Sequence, residues 1–213
     1  MSVTRLPSVD DGLRETLGDA ASILLVGGDT PETEAVCSEL LSVTSPEETR
    51  LLNVTFDDSP DERLDVYRAN VGELPAEAGV IAVGEPTRSA AAQGASINGP
   101  SPGRVTVDTV ADPSDLTGLA MVIGAYLDAW DGTEAKPVVC FHSITSLLFH
   151  ADEARIYRFL HSTTGRLRDV GAVAHYHLDP AAFDESTVNR FSALFDAVLE
   201  VDEDGSVTVK RRT

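Results

Sequence analysis

The sequence predicts an α/β fold: a mostly parallel sheet with helices on both faces and an antiparallel hairpin at the C-terminal end. Three observations predict it. "SILLVG" (22–27), "AGVIAVGE" (78–85) and "KPVVCFHS" (136–143) are short continuous apolar runs, the pattern of strands buried on both faces. Segments of helical spacing separate the strand runs, and that alternation belongs to crossover-connected parallel strands. The chain closes on two β-rich runs, 196–201 and 206–212, with Asp204 and Gly205 between them as a hairpin turn. A chain of 213 residues, 42% of them hydrophobic, can bury one sizeable core.

Residues 1–20 read as an amphipathic lead-in, with Leu6, Val9, Leu13 and Leu17 at near-helical spacing, ahead of a single domain over 21–213. After the strand at 22–27, Thr30 and Pro31 form a helix start, a capping side chain followed by a proline with φ preset for the first helical position. Ala35, Cys37, Leu40 and Leu41 give that helix its apolar side. "RLLNVTF" (50–56) is the second strand, and 58–72 is a helix opened by serine and proline. The strand at 78–85 leads into 87–103, small, glycine-rich and polar, which reads as a long loop. "RVTVDTV" (104–110) alternates as a strand, 113–130 is a helix capped near Asp112 or Ser114, and 136–143 is the most apolar strand. A helix over 152–169 turns Ile156, Phe159, Leu160 and Leu167 inward; the strand at 171–179, a helix at 185–195 and the hairpin complete the order.

Charge restricts the partners. The net charge is −19, from 35 acidic and 16 basic residues, and only Lys136 and Lys210 are lysines. A duplex-binding face needs clustered basic residues that release counterions, so nucleic acid is not an expected partner. A dispersed acidic excess with almost no lysine fits a protein of concentrated salt, where the Debye length is about 3 Å and self-repulsion is muted. No apolar run reaches the roughly eighteen residues of a membrane span, and the first residues lack the apolar core of a signal peptide, so a cytoplasmic location is expected.

In open α/β sheets, ligands bind at the carboxyl ends of strands, here 27–33, 142–143 and 175–179. The first stretch, "GGDTPETE", has the layout of a phosphate loop without its residues. With the first glycine on Gly27 and Gly28 and Thr30 inside the loop, Glu32 stands at the second glycine, Thr33 at the lysine and Glu34 at the magnesium-binding hydroxyl. The cation is lost and two carboxylates are gained, so neither ATP nor magnesium is an expected cofactor. "PVVCFH" ends in His142 where a magnesium-ordering aspartate would stand, and magnesium prefers oxygen. Ser143 follows a strand, but no G-x-S-x-G elbow makes it a hydrolase nucleophile.

The same residues carry a resemblance. "VVCFHSITSLL" (138–148), "RIYRFLHSTTGRLRDVGAVAHYH" (155–177) and "LFDAVLEVDEDGSVTVKRR" (194–212) resemble the strand, the helix with its sensor strand, and the closing hairpin of the RecA-like ATPase domain of the KaiC family. More narrowly, "DLTGL" (115–119), "RFLH" (158–161) and "HYHLDP" (175–180) resemble a haloarchaeal KaiC-like group of unknown function with degenerate nucleotide motifs. The resemblance implies a RecA-like fold, P-loop NTPase-type, over 21–213. The departures at Glu32, Thr33, Glu34 and His142 mean that the family's nucleotide residues do not transfer.

Three histidines and a carboxylate remain. His175 and His177 lie two apart and share a strand face, beside the strand ending at His142 in the RecA-type order, with Asp179 close behind. Such a set either holds a transition metal or forms a hydrogen-bonded polar cluster. Cys37 and Cys140, without metal-ligand spacing, read as buried free thiols. The expected function is a non-catalytic regulatory or interaction module, a pseudo-ATPase that works through a protein partner or a second copy of itself. The alternatives are an atypical nucleotide-binding protein or ATPase using other residues, and a histidine-centred metal-binding protein.

Overall fold

The computed structural model describes residues 2–6, 12–42, 44–75, 77–84, 95–101 and 103–212. Among them, ten strands form one sheet in the order β1-β10-β9-β2-β8-β7-β3-β4-β6-β5. The parallel body is β2 (Ser22–Val26), β8 (Val173–Leu178), β7 (Lys136–His142), β3 (Thr49–Thr55), β4 (Glu77–Val83) and β6 (Arg104–Val110). β9 (Ala197–Val201) is also parallel to β2, and β10 (Val207–Arg211) turns back on it as the expected hairpin. Its turn closes with Asp202 N–H donating to the Ser206 carbonyl, and Gly205 takes φ of +79°, which glycine adopts without strain.

Helices cover both faces. α4 (Leu116–Trp130), α5 (Ile144–His150), α6 (Glu153–Asp169) and α7 (Glu185–Ser192) share one core with Leu24, Leu52, Phe141 and Tyr176. α1 (Leu13–Leu17), α2 (Pro31–Leu41) and α3 (Pro60–Asn70) share the other with Ile23, Leu25, Leu51, Val138 and Cys140. The split follows the period of two: neighbours on one strand, such as Leu24 and Leu25 or Cys140 and Phe141, go to opposite faces. Buried on both sides, these strands are therefore mostly apolar, with polar exceptions such as Asn53, Asp108, His175 and His177.

Several elements differ from the sequence reading. Ser2–Leu6 is not helical but a strand, β1, paired antiparallel with β10; only Leu6 of it is buried, while Leu13 and Leu17 enter the second core from the short helix α1. Val9 lies outside the described residues. α5 was not expected: Ser143 caps it by accepting the Ser146 N–H at 3.1 Å, and its seven residues give too little periodicity to stand out from the apolar strand before them. α4 is capped by Asp115, which accepts the Gly118 N–H at 2.8 Å, rather than by Asp112 or Ser114. Within the expected loop at 87–103, residues 95–96 form a two-residue strand, β5, against β6, and 87–94 lie outside the described residues. No helix among the described residues is long and apolar enough to cross a membrane.

Candidate functional site

β2, β3, β7 and β8 end at one edge of the sheet, and their carboxyl ends open on a cavity of about 180 Å³. The loop at 27–34, Asp57 and Asp58 after β3, His142 and Ser143 after β7, and His177 and Asp179 from β8 line it. Of the expected strand-end residues, Gly27, Gly28, Thr30, Thr33, His142, Ser143, His177 and Asp179 meet here, while Glu32 and His175 are not among the lining residues. Of the lining residues five are carboxylates, Asp29, Glu34, Asp57, Asp58 and Asp179, and none is a lysine or arginine.

Four N–H groups of the loop and the helix start, those of Gly27, Thr30, Thr33 and Glu34, are bonded within the chain. Gly27 N–H donates to the Leu178 carbonyl, Thr30 N–H to Gly28, and Glu34 N–H to Thr30. Thr30 caps α2 as expected, its hydroxyl accepting the Thr33 N–H at 3.3 Å, and Pro31 has no N–H to offer. Thr33, at the lysine position, is buried; its hydroxyl lies 3.2 Å from that of Thr30 and packs so closely over Gly27 that a Cβ there would sit 2.6 Å from it. A phosphate in a working loop needs these converging N–H groups free and Gly27 uncovered.

His142 stands at the end of β7 with its Nδ1 3.6 Å from an Asp58 oxygen, and the peptide bond to Ser143 is cis. Ser143 is a helix cap rather than a nucleophile: its hydroxyl lies 3.0 Å from that of Ser146, which itself donates to Asp57. Asp179 lines the cavity and caps the short 3₁₀ turn after β8, accepting the Ala181 N–H at 2.9 Å.

Beneath the cavity lies a different grouping. In the β7–β8 register Cys140 faces His175, and His142 and His177 follow two residues later on the same sheet face. Cys37 comes down onto them from α2. Cys37, Cys140, His175 and His177 are all buried, and one donor atom from each lies within 4.8 Å of every other. The two sulfurs are 3.9 Å apart; Cys37 Sγ is 3.2 Å from His175 Nε2, and Cys140 Sγ is 3.7 Å from His177 Nε2. The His142 and His177 rings are 4.5 Å apart edge to face, so His177 touches both the cavity and the quartet. Of the four candidate ligands, His175 and His177 group with the two cysteines; His142 stands beside His177 with its Nδ1 toward Asp58, and Asp179 caps the turn past the end of β8.

One cation attends the quartet. Arg63 of α3 is buried, with Nη2 3.7 Å from Cys140 Sγ and 3.9 Å from Cys37 Sγ, and Nη1 3.7 Å from Glu34 and 3.5 Å from Asp58. Burial works to lower its pKa, but the surrounding sulfurs and carboxylates outweigh it and raise it. The contact between the two sulfurs, in which either can donate, together with the nearby imidazoles lowers the Cys140 thiol, while that contact and burial raise Cys37. Burial pushes His177 down to about 4, so its ring is neutral, and raises Glu34 against the pull of Arg63.

Cys37 and Cys140 are buried free thiols, as expected; the sequence reading did not join them, or Arg63, to the histidines. Cys140 precedes His142 by two residues as His175 precedes His177, so strand parity alone puts them on one face. Cys37 is one helical turn beyond Thr33, and Arg63 interrupts a buried stripe with Leu64 and Tyr67.

A family model described as a family of unknown function (DUF7504) matches residues 20–201. No curated protein matches the chain. Solved structures match it in fold. The flagellar accessory protein FlaH from Methanocaldococcus jannaschii superposes with a TM-score of 0.56 at 11% identity, over 94% of this chain and 81% of its own. PH0250 from Pyrococcus horikoshii OT3 superposes with a TM-score of 0.55 at 12% identity, over 88% of this chain and 84% of its own. At such identities the likeness is one of fold alone, and it fits a RecA-like α/β arrangement whose sheet is mixed at the hairpin end.

Proposed function

The chain belongs to that family of unknown function, and for it we propose a non-catalytic regulatory or interaction module: a KaiC-like domain that keeps the sheet and no longer holds nucleotide. One observation carries the reading, the state of the loop after β2. Its N–H groups at Gly27, Thr30, Thr33 and Glu34 are bonded within the chain, and the Thr33 side chain lies over Gly27. Electrostatics add to it. A carboxylate 4 Å from a phosphate charge costs about 4 kcal/mol at an effective dielectric of 20, and the cavity is lined by five carboxylates with no lysine or arginine among its lining residues. Glu32 and Glu34 stand in the first turn of α2, where they complement the helix dipole that a phosphate would otherwise use.

A domain without nucleotide chemistry acts through its surfaces. The expected partner is a protein or a second copy of the chain in a cytoplasm of concentrated salt, the setting favoured by the net charge of −19.

The test is calorimetric titration of ATP and ADP, with and without magnesium, beside a variant carrying Glu32→Gly, Thr33→Lys and Glu34→Thr. The unmodified chain is expected to give no binding heat at millimolar nucleotide. Micromolar binding that disappears on changing Thr30 or His142 replaces this reading with that of an atypical nucleotide-binding protein.

A further inference from the structure

We propose that Cys37, Cys140, His175 and His177 bind one zinc ion in tetrahedral S₂N₂ coordination, buried beneath the strand-end cavity. The proposal is independent of whether the cavity takes nucleotide. Its first support is geometry. Zinc bonds of about 2.3 Å to sulfur and about 2.0–2.1 Å to imidazole nitrogen put the two sulfurs of a tetrahedron roughly 3.8 Å apart, and each sulfur roughly 3.5 Å from a nitrogen. The observed separations are 3.9 Å between sulfurs, and 3.2 and 3.7 Å from sulfur to nitrogen. Each histidine turns its Nε2 to one of the sulfurs, and every remaining pair of donor atoms lies within 4.8 Å.

The second support is the poverty of the alternative. Thiols are weak hydrogen-bond donors and sulfur a weak acceptor, yet two thiols and two imidazoles are buried together. Nδ1 of His175 has no hydrogen-bond partner, so contacts to sulfur are poor compensation for burying that ring. A metal ion gives each of the four donors a strong partner at once.

Donor chemistry selects the ion. Two thiolates with two imidazoles in a tetrahedral, closed, wholly buried site suit zinc, whereas magnesium and calcium want oxygen. Loading is a proton exchange without redox change: Zn²⁺ enters, and whatever protons the two sulfurs still carry leave to solvent. The resulting centre is neutral, and Arg63 donates N–H toward both sulfurs from outside it while Glu34 and Asp58 balance its charge. The role is a clamp. Cys37 ties α2 to β7 through Cys140 and to β8 through the histidines, joining three elements that meet at the loop after β2.

The full-length protein is to be reduced, stripped with a chelator and titrated anaerobically with Co²⁺, then with Zn²⁺. One equivalent of cobalt is expected, with intense tetrahedral ligand-field bands and a sulfur-to-cobalt charge-transfer band, both bleached by one equivalent of zinc. Cys37→Ser, Cys140→Ser and His175→Asn should abolish the charge-transfer spectrum or weaken it at least tenfold in affinity, and His142→Asn should keep it. Zinc should raise the melting temperature of the unaltered chain and leave that of the ligand variants unmoved. Where a cysteine variant does not fold, the cobalt spectrum of the unaltered chain decides. A pale octahedral spectrum without charge transfer overturns the proposal in favour of a hydrogen-bonded cluster. Loss of binding in His142→Asn with retention in His175→Asn overturns the ligand set. A Cys37–Cys140 disulfide that forms in air at the same rate with and without zinc overturns it as well.

Discussion

Asp196 shows how much one side chain can organise. It stands just before β9 and accepts from Ala21 N–H at 3.1 Å, Ser22 N–H at 3.0 Å and the Ser22 hydroxyl at 2.9 Å, while Arg168 donates to its other oxygen at 2.6 Å. It therefore fastens the start of β2 to the start of β9. Burial works to raise its pKa, but Arg168 and the Ser22 donors outweigh that and lower it. The sign follows: a carboxyl lowered by folding stabilises fully above its unfolded value of about 3.9, and loses that contribution as pH falls through its folded value. Asp196→Ala should cost about 1–3 kcal/mol in urea unfolding at pH 7, and the gap to the unaltered chain should narrow near pH 3. An equal gap at both pH values would contradict this. At this scale, what the sequence made legible was local. Thr30 and Pro31 announced the start of α2 because a cap acts over three residues. Cys37 and Cys140, 103 residues apart, announced nothing by spacing, because only the packing of α2 on β7 joins them.

Elements were legible where periodicity had length to speak. α6, with 17 residues, and the seven-residue strands β6 and β7 fell where the pattern put them. β1 did not, because Leu6, Leu13 and Leu17 imitate helical spacing while the first of them belongs to an edge strand decided by pairing with β10. Packing between elements also constrains single positions. Tyr126 of α4 lies across Gly79 of β4 and donates to the buried carboxylate of Asp108 at 2.7 Å, so its ring cannot swing away. A Cβ at position 79 collides with that ring. Gly79→Ala should destabilise by roughly 1–3 kcal/mol, and Tyr126→Leu in the same chain should recover part of the loss from residue 79. Additive losses in a double-mutant cycle would place the cost in the strand backbone instead.

For the whole molecule, the alternation of strand and helix announced the layered sheet, and the carboxyl-end rule announced where the cavity lies. The quartet beneath was half legible: the two histidines shared a face by parity, but their partners depended on the β7–β8 register and on the depth of α2. Charge acts at this scale too. With −19 spread along the chain and only 16 basic residues, dilution from molar potassium chloride should lower the melting temperature as repulsion loses its screening. A melting temperature that is flat or rises on dilution would remove the concentrated-salt setting.

His177 has one imidazole in two compartments, lining the cavity while its Nε2 lies among the sulfurs. A ring shared in this way makes the two sites thermodynamic partners. Whatever presses on His177 from above and changes the affinity below by some factor must have its own affinity changed by that factor when the lower site fills. The absorption of a cobalt-loaded chain would then serve as an optical gauge of the cavity, registering an arriving ligand or partner surface before its identity is known.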